Sequence, residues 1–157
     1  MDHTAVQVRD HTEPRFWNTS VGGDLAFLLA RANAVTLAGA NRALADEGLK
    51  VRSYSVLALA VADARPTQRE LSEFLRLDPS QIVALIDDLQ KRGLVTRAPD
   101  ASDRRVNVVE ATDAGRATHE RARRRVEEHQ REHFSVLDAD ELGQLSSFMR
   151  RLARIEE

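Results

Sequence analysis

The sequence predicts a mainly α-helical fold that contains one small β-hairpin. Three observations lead to this prediction. Apolar residues recur at spacings of three and four along most of the chain, which is the period of a helix buried on one face. Several of these periodic segments begin with an N-cap residue and with an acidic or amide residue three positions later. One segment instead alternates apolar and polar residues beside a turn-forming run, as a hairpin does.

Composition narrows the class of protein. The chain has 157 residues, of which 42% are hydrophobic and 4% aromatic, so one domain with an aliphatic core is expected. The absence of cysteine excludes a disulfide framework, a thiolate metal site and a thiol redox sensor. The longest apolar runs are far shorter than the ~20 residues of a membrane span, and the polar N-terminus does not resemble a signal peptide. These features predict a cytoplasmic protein.

The N-terminal part divides into an arm and a helix. Residues 1–20 are mostly polar and are predicted to form the arm, while residues 21–157 form a single domain. The first helix of that domain is predicted from Val21 to about Asp46, with Gly48 ending it. Its apolar stripe consists of Leu25, Leu28, Leu29, Ala32 and Val35.

Two short helices with strong start signals follow a helix that is predicted to begin at Ser53. Thr67 and Glu70 are predicted to form a capping box for the first of the two. Asp78 and Gln81 are predicted to form another for the second, which also has proline at its favoured first position. Because the link between the two is only a few residues long, the pair is predicted to be a helix-turn-helix.

The next segment is predicted to be a β-hairpin, with strands Leu94–Ala98 and Arg105–Val109 around the turn Pro99–Asp103. A long helix capped by Thr112 and a last helix opened by Asp138 complete the chain. A helix-turn-helix followed by a hairpin is a winged helix-turn-helix. In that fold the second helix reads the major groove of DNA, and the hairpin can reach a minor groove.

The hairpin region is locally basic, although the whole chain has a net charge of −2. Five basic residues lie between Lys91 and Arg105, against two acidic ones. An arginine at a hairpin tip suits a narrow, electronegative minor groove. Asp103, two residues before Arg105, is placed to hold that arginine extended through a charge-assisted hydrogen bond.

From about Asp24 to Arg154 the sequence resembles the MarR family (multiple antibiotic resistance regulators). The wing signature of that family is Asp-x-Arg, five variable residues and Leu-Thr. Here it consists of Asp103, Arg105, the residues VNVVE, and then Ala111 and Thr112, with alanine in place of the leucine. The segment SQIVALIDDLQKRGLVTR also resembles the recognition helix of the family and its exit into the wing.

The resemblance implies a homodimer that represses transcription from a pseudo-palindromic operator in double-stranded DNA. The implied winged helix-turn-helix lobe covers about residues 52–111, and the dimerisation helices cover about 21–47 and 112–157. One apolar stripe in the last helix is too apolar for a free surface and is assigned to the dimer interface. It consists of Leu142, Leu145, Phe148, Met149 and Leu152.

The residues expected to contact DNA lie in the two helices of the helix-turn-helix and in the wing. The helix-turn-helix contributes Thr67, Gln68, Arg69, Ser80, Gln81, Ala84 and Lys91, and the wing contributes Asp103, Arg104 and Arg105. Two roles are possible for the Gln81 side chain, namely a contact to adenine or closure of the capping box with Asp78. Asp87 and Asp88 suit phosphate badly, so at least one is expected to face a basic residue or the interior of the lobe.

The sequence says least about the small-molecule effector. The resemblance implies a small aromatic or phenolic ligand, for which the candidate residues are Arg15, Trp17, Arg52 and Tyr54. The alternative for Trp17 is that it pins the N-terminal arm to the partner subunit. His129 and His133 have an i, i+4 spacing that can bind zinc, but solvated histidines are the favoured interpretation and no metal is assigned.

Two other classes of function compete with this prediction. An enzyme is not expected, because the sequence contains no glycine-rich phosphate loop, no nucleophile motif and no His-Glu-x-x-His. No cofactor is expected either. The alternative to a DNA-binding regulator is a winged helix that contacts only other proteins.

Overall fold

The computed structural model describes residues 14–100 and 103–154. Its contacts cluster into two compact units, one ending at Ala38 and the other beginning at Gly39, and each unit is described by itself. The described elements are α1 (Pro14–Trp17), α2 (Leu25–Ala43), α3 (Val51–Val61), α4 (Gln68–Leu75), α5 (Pro79–Lys91), β1 (Val95–Pro99), β2 (Asn107–Ala111), α6 (Asp113–His133) and α7 (Ala139–Leu152). The predicted mainly α-helical fold with a hairpin wing is confirmed.

In the first unit, α2 begins four residues later than predicted. The carboxylate of Asp24 accepts a hydrogen bond of 2.7 Å from the backbone N–H of Phe27, so it caps the helix. The ring of Trp17 meets the ring of Phe27 edge to face, with centroids 6.2 Å apart. The guanidinium of Arg31 lies 5.0 Å from the centroid of the same indole. The cap and these ring contacts position Trp17 beside the start of α2.

The second unit contains the winged lobe, and α3 begins two residues before the predicted cap. Lys50, not Ser53, is the N-cap residue. Ser53 lies inside the first turn, where its hydroxyl accepts from the Lys50 N–H and donates to the Lys50 carbonyl, both at 2.9 Å. The Val51 N–H donates to the side-chain oxygen of Asn41 on α2. The start of α3 is therefore set partly by α2, which a local pattern does not reveal.

The helix-turn-helix contains one of its two predicted capping boxes. Thr67 and Glu70 cap each other at the start of α4, as predicted. Asp78 is the N-cap of α5, but its carboxylate makes no capping bond, so the predicted box with Gln81 is wrong. The Gln81 N–H instead donates to the Asp78 carbonyl. Proline at the first helical position pre-sets the backbone dihedral φ, which favours a helix start without a side-chain cap.

The wing is a two-stranded antiparallel sheet in which Val95 pairs with Ala111 and Pro99 pairs with Asn107. Its second strand begins two residues later than predicted, and the turn is correspondingly longer. Residues 105 and 106 belong to the turn, because the Arg105 N–H donates to the Asp103 carboxylate and the Val106 N–H donates to the Asp103 carbonyl. Val109 donates its N–H to the Pro66 carbonyl at 2.8 Å, and residue 67 forms an isolated bridge with residue 108. The link between α3 and α4 thus also pairs with β2.

The core of the second unit is aliphatic. Its fully buried side chains come from α3, α4, α5, α6, both strands and the loops that flank them, and they include Leu44, Leu49, Val56, Leu57, Leu71, Ile82, Ile86, Leu89, Val95, Val109 and Ala122. Ala111, which departs from the family signature, packs at the edge of this core. The predicted caps at Thr112 and Asp138 are both present. No described helix has the length and hydropathy needed to cross a bilayer.

Candidate nucleic-acid interface

Helix α5 has one buried face and one free face. Ile82, Ile86 and Leu89 are completely buried, and they attach the helix to the core. The side chains on the opposite face all lie in exposed positions and fall within about 60° of the helix circumference. They are Ser80, Ala84, Asp87 and Lys91. Because the core holds the helix along its length, this face is a rigid surface about three turns long.

The wing tip holds one arginine in a defined position. The carboxylate of Asp103 accepts three hydrogen bonds from Arg105, namely from the backbone N–H, Nε and Nη2, each 3.0 Å long. These bonds lower the pKa of Asp103 and raise the pKa of Arg105. The Arg105 side chain nevertheless remains 90% exposed. The guanidinium is therefore oriented and also free to meet a partner, while Arg104 lies exposed beside it.

The start of α4 is already partly occupied by its own cap. Oε2 of Glu70 accepts from the Thr67 N–H at 2.7 Å and from its hydroxyl at 2.8 Å, which lowers the pKa of Glu70. Arg69 is exposed and forms an i, i+4 ion pair of 2.8 Å with Glu73. A phosphate at this helix start would therefore meet the amides of Gln68 and Arg69 rather than that of Thr67.

The two acidic residues of α5 have separate partners. Nη2 of Arg97, on β1, donates to Oδ1 of Asp87, as expected for at least one of the acids. Asp88 lies 3.7 Å from Arg92, whose guanidinium also donates to two backbone carbonyls near Gly48. The arginine partners of these two acids were not predicted. The Asp87–Arg97 pair depends on how β1 packs beside α5, and the Asp88–Arg92 pair depends on the side-chain rotamers.

Two of the four effector candidates, Arg52 and Tyr54, lie on α3 in the second unit. Arg52 and Gln81 line the same two clefts beside the start of α5. Tyr54, two residues further along α3, stacks on His119 of α6 with ring centroids 5.4 Å apart and planes 11° apart. Burial raises the pKa of Tyr54 and lowers the pKa of His119. Trp17 belongs to the first unit, and the side chain of Arg15 lies outside the described part of the structure.

His119 is a site candidate that the sequence interpretation missed. The sequence signal was the spacing of three small residues on α6, namely Gly115, Thr118 and Ala122. In the structure all three are buried. That stripe marks the side of α6 that packs inward, and His119 lies next to it. The stripe does not indicate which aromatic ring the histidine would meet.

The histidine pair further along α6 makes packing contacts. The rings of His129 and His133 stack at a centroid distance of 5.5 Å. A Cβ on Gly39 would lie 2.3 Å from Cε1 of His129, so the imidazole packs directly on the α2 backbone. Over residues 14–100 and 103–154, no group of three or more potential ligands among His, Cys, Asp and Glu is arranged for a metal ion.

The last helix presents an uncovered apolar face. Four of its five predicted interface residues are exposed in the single chain, namely Leu142, Phe148, Met149 and Leu152. Leu145 is half-buried.

The family model and the similar solved structures both point to one family of transcriptional regulators. The sequence model of the MarR family matches residues 47–106. CouR from Rhodococcus jostii RHA1, solved with bound p-coumaroyl-CoA, is 37% identical, with 88% of this chain and 98% of that chain covered and a TM-score of 0.80. A MarR-family transcriptional regulator from Rhodococcus sp. RHA1 is 36% identical, with coverage of 86% and 96% and a TM-score of 0.79. A mutant MarR from E. coli complexed with operator DNA is 25% identical, with coverage of 82% and 92% and a TM-score of 0.74.

Proposed function

The chain belongs to the MarR family of DNA-binding transcriptional regulators, and on this premise we propose that it is a homodimeric repressor of a pseudo-palindromic operator. The observation that carries the proposal is the wing tip, where Arg105 is 90% exposed and yet oriented by Asp103. A winged helix that contacts only other proteins, which is the alternative, does not require a cation that is both exposed and oriented.

The proposed docking places the exposed face of α5 in the major groove and Arg105 in the adjacent minor groove. Ser80, Gln81 and Ala84 then face base edges, because the N-terminal part of a recognition helix enters the groove. The remaining basic candidates, Arg104 and Lys91, face phosphates together with Arg69 and the free amides at the start of α4. Phosphate contacts would supply most of the affinity and make binding strongly salt-dependent.

We assign the uncovered apolar face of α7 to the subunit interface. Four large apolar side chains exposed on one helix are unusual for a protein that remains a monomer in water. A two-fold dimer would place its two α5 helices on successive turns of one DNA face, about 34 Å apart. The operator should therefore consist of two inverted half-sites about one helical turn apart.

For the effector we propose a small aromatic or phenolic ligand that stacks near Tyr54 and His119. These rings are half-buried and parallel, so they offer an apolar platform. The similar CouR is bound to p-coumaroyl-CoA, which makes that compound the first to test. Arg52 remains the candidate partner for an acidic group of such a ligand. The protein would act in the cytoplasm and would have no catalytic role.

The decisive experiment selects bound duplexes from a random pool with the purified protein. The expected motif is two-fold symmetric, with half-sites about one turn apart. Binding of the selected operator is then compared for Arg105→Ala and for Arg131→Ala, which removes an exposed arginine from α6. Arg105→Ala should weaken binding by about 1–3 kcal/mol, or roughly 5- to 150-fold, while the control stays near wild type. Equal affinities for the two variants, or no enriched motif at moderate salt, would refute the proposal.

A further inference from the structure

Asp87 lies on the exposed face of α5, at one edge of that face on the helical wheel. On a helical wheel it lies between the directions of the buried face and of Gln81, within about 20–40° of Ser80 and Lys91. If α5 enters the major groove, as the proposed function requires, this carboxylate faces base edges. An isolated carboxylate there would be repelled by the phosphates on both sides of the groove.

The fold supplies a partner for this acid. Arg97 extends from β1 and donates through Nη1 to Oε1 of Gln90 at 2.6 Å, and through Nη2 to Oδ1 of Asp87. The Arg97 side chain is only 23% exposed, whereas that of Asp87 is 59% exposed. The guanidinium is thus covered by the wing and α5, while the carboxylate remains accessible. Arg97 offsets the charge of Asp87 and restricts its rotamer.

The pairing leaves one carboxylate oxygen available. Among contacts between described residues, Arg97 engages Oδ1 of Asp87 and nothing engages Oδ2. An ionised carboxylate accepts hydrogen bonds and cannot donate them. In the major groove, guanine presents two acceptors and thymine presents one, so both repel it. Adenine presents its amino group beside the N7 acceptor, whereas cytosine presents the N4 amino group with no acceptor of its own at that edge.

We propose that Asp87, positioned by Arg97, reads one cytosine in each half-site and so determines part of the operator sequence. The neighbouring acid does not share this arrangement. Asp88 lies about 100° further around the helix, in a cleft that Lys50 and Gln81 also line, and its partner Arg92 is anchored to backbone carbonyls. Asp88→Ala is therefore a matched control, because it removes the same charge from the same helix.

The test repeats the random-duplex selection with wild type, Asp87→Ala, Asp87→Asn and Asp88→Ala. Wild type should show one cytosine per half-site whose replacement weakens binding by about 5- to 150-fold. Asp87→Ala should lose the preference at that position alone, and Asp87→Asn should move it toward adenine, because an asparagine amide can both accept and donate there. Asp88→Ala should keep the wild-type motif.

Three outcomes would count against the assignment. A wild-type motif without such a cytosine, or an Asp87→Ala motif identical to wild type, would overturn the base contact while leaving the regulator proposal intact. A preference lost equally in Asp88→Ala would show that charge alone, and not a contact of Asp87, determines it. The absence of any symmetric motif for wild type would overturn the proposed function and this inference with it.

Discussion

Replacing Gly115 with alanine should destabilise the protein by driving α6 away from the wing. A Cβ at this position would lie 1.9 Å from the carbonyl oxygen of Leu94, where ordinary contact begins at 3.4 Å, so it is about 1.5 Å too close. The obstacle is backbone, which cannot rotate out of the way. The same carbonyl accepts the Thr112 N–H at 3.1 Å and its hydroxyl at 3.2 Å, and these bonds would be lost as α6 moves.

The magnitude follows from three contributions. Overpacking costs about 1–3 kcal/mol, and the two weakened hydrogen bonds cost about 0.5–1.5 kcal/mol each. Alanine in a helix recovers about 1 kcal/mol relative to glycine. The net expectation for Gly115→Ala is a loss of about 1–5 kcal/mol, which lowers Tm by about 2–20 °C for a chain of this size.

Gly143→Ala on α7 is the matched control, because a Cβ there meets nothing within 4 Å. It should stabilise the helix by about 0.5–1 kcal/mol. Urea unfolding followed by far-ultraviolet circular dichroism, at equal protein concentration, measures both variants. A Gly115→Ala protein as stable as wild type would refute the close packing of α6 on Leu94, and so would equal effects from the two substitutions.

Three further predictions follow from contacts of the winged lobe and α6. Arg65→Ala removes a 2.9 Å ion pair with Glu110 on β2; because both side chains are partly exposed, stability in urea unfolding should fall by less than about 1 kcal/mol, and a larger loss would contradict this. Thr67→Ala should cost about 1 kcal/mol in urea unfolding, because it removes the cap of α4, whereas Thr67→Ser should retain most of it. Hydrogen bonds from Arg123 and Arg124 lower the pKa of Glu120 from 4.5 to about 2. The ionised carboxylate therefore stabilises the fold above pH 4.5, and this contribution is lost as pH falls toward 2; Glu120→Gln should flatten that part of the stability profile, and an unaltered profile would exclude the ion pair as its source.

The contacts of the candidate site are of two kinds, between residues close in sequence and between residues far apart in sequence. Only the first kind could be predicted in detail from the sequence. The bond between Asp103 and Arg105 joins residues two apart and was predicted from their spacing alone. The bond between Arg97 and Asp87 joins a strand to a helix ten residues earlier, and only the general need for a basic partner was foreseen. His119 was not foreseen as a neighbour of Tyr54, because the two are separated by most of the lobe in sequence. The roles of all these residues toward DNA and ligand stay predictions.

The sequence by itself determined the order and type of the main elements and several of their boundaries. Caps at Thr67, Thr112 and Asp138 were predicted correctly because a capping bond links residues within one helical turn. Only the tertiary structure decided the start of α3 and the pairing of β2 with the link before α4. Asn41 reaches across to the first turn of α3, and the link through Pro66 pairs with β2. A local pattern reports hydrogen bonds that a segment can make with itself, whereas these depend on which distant segment the core brings alongside.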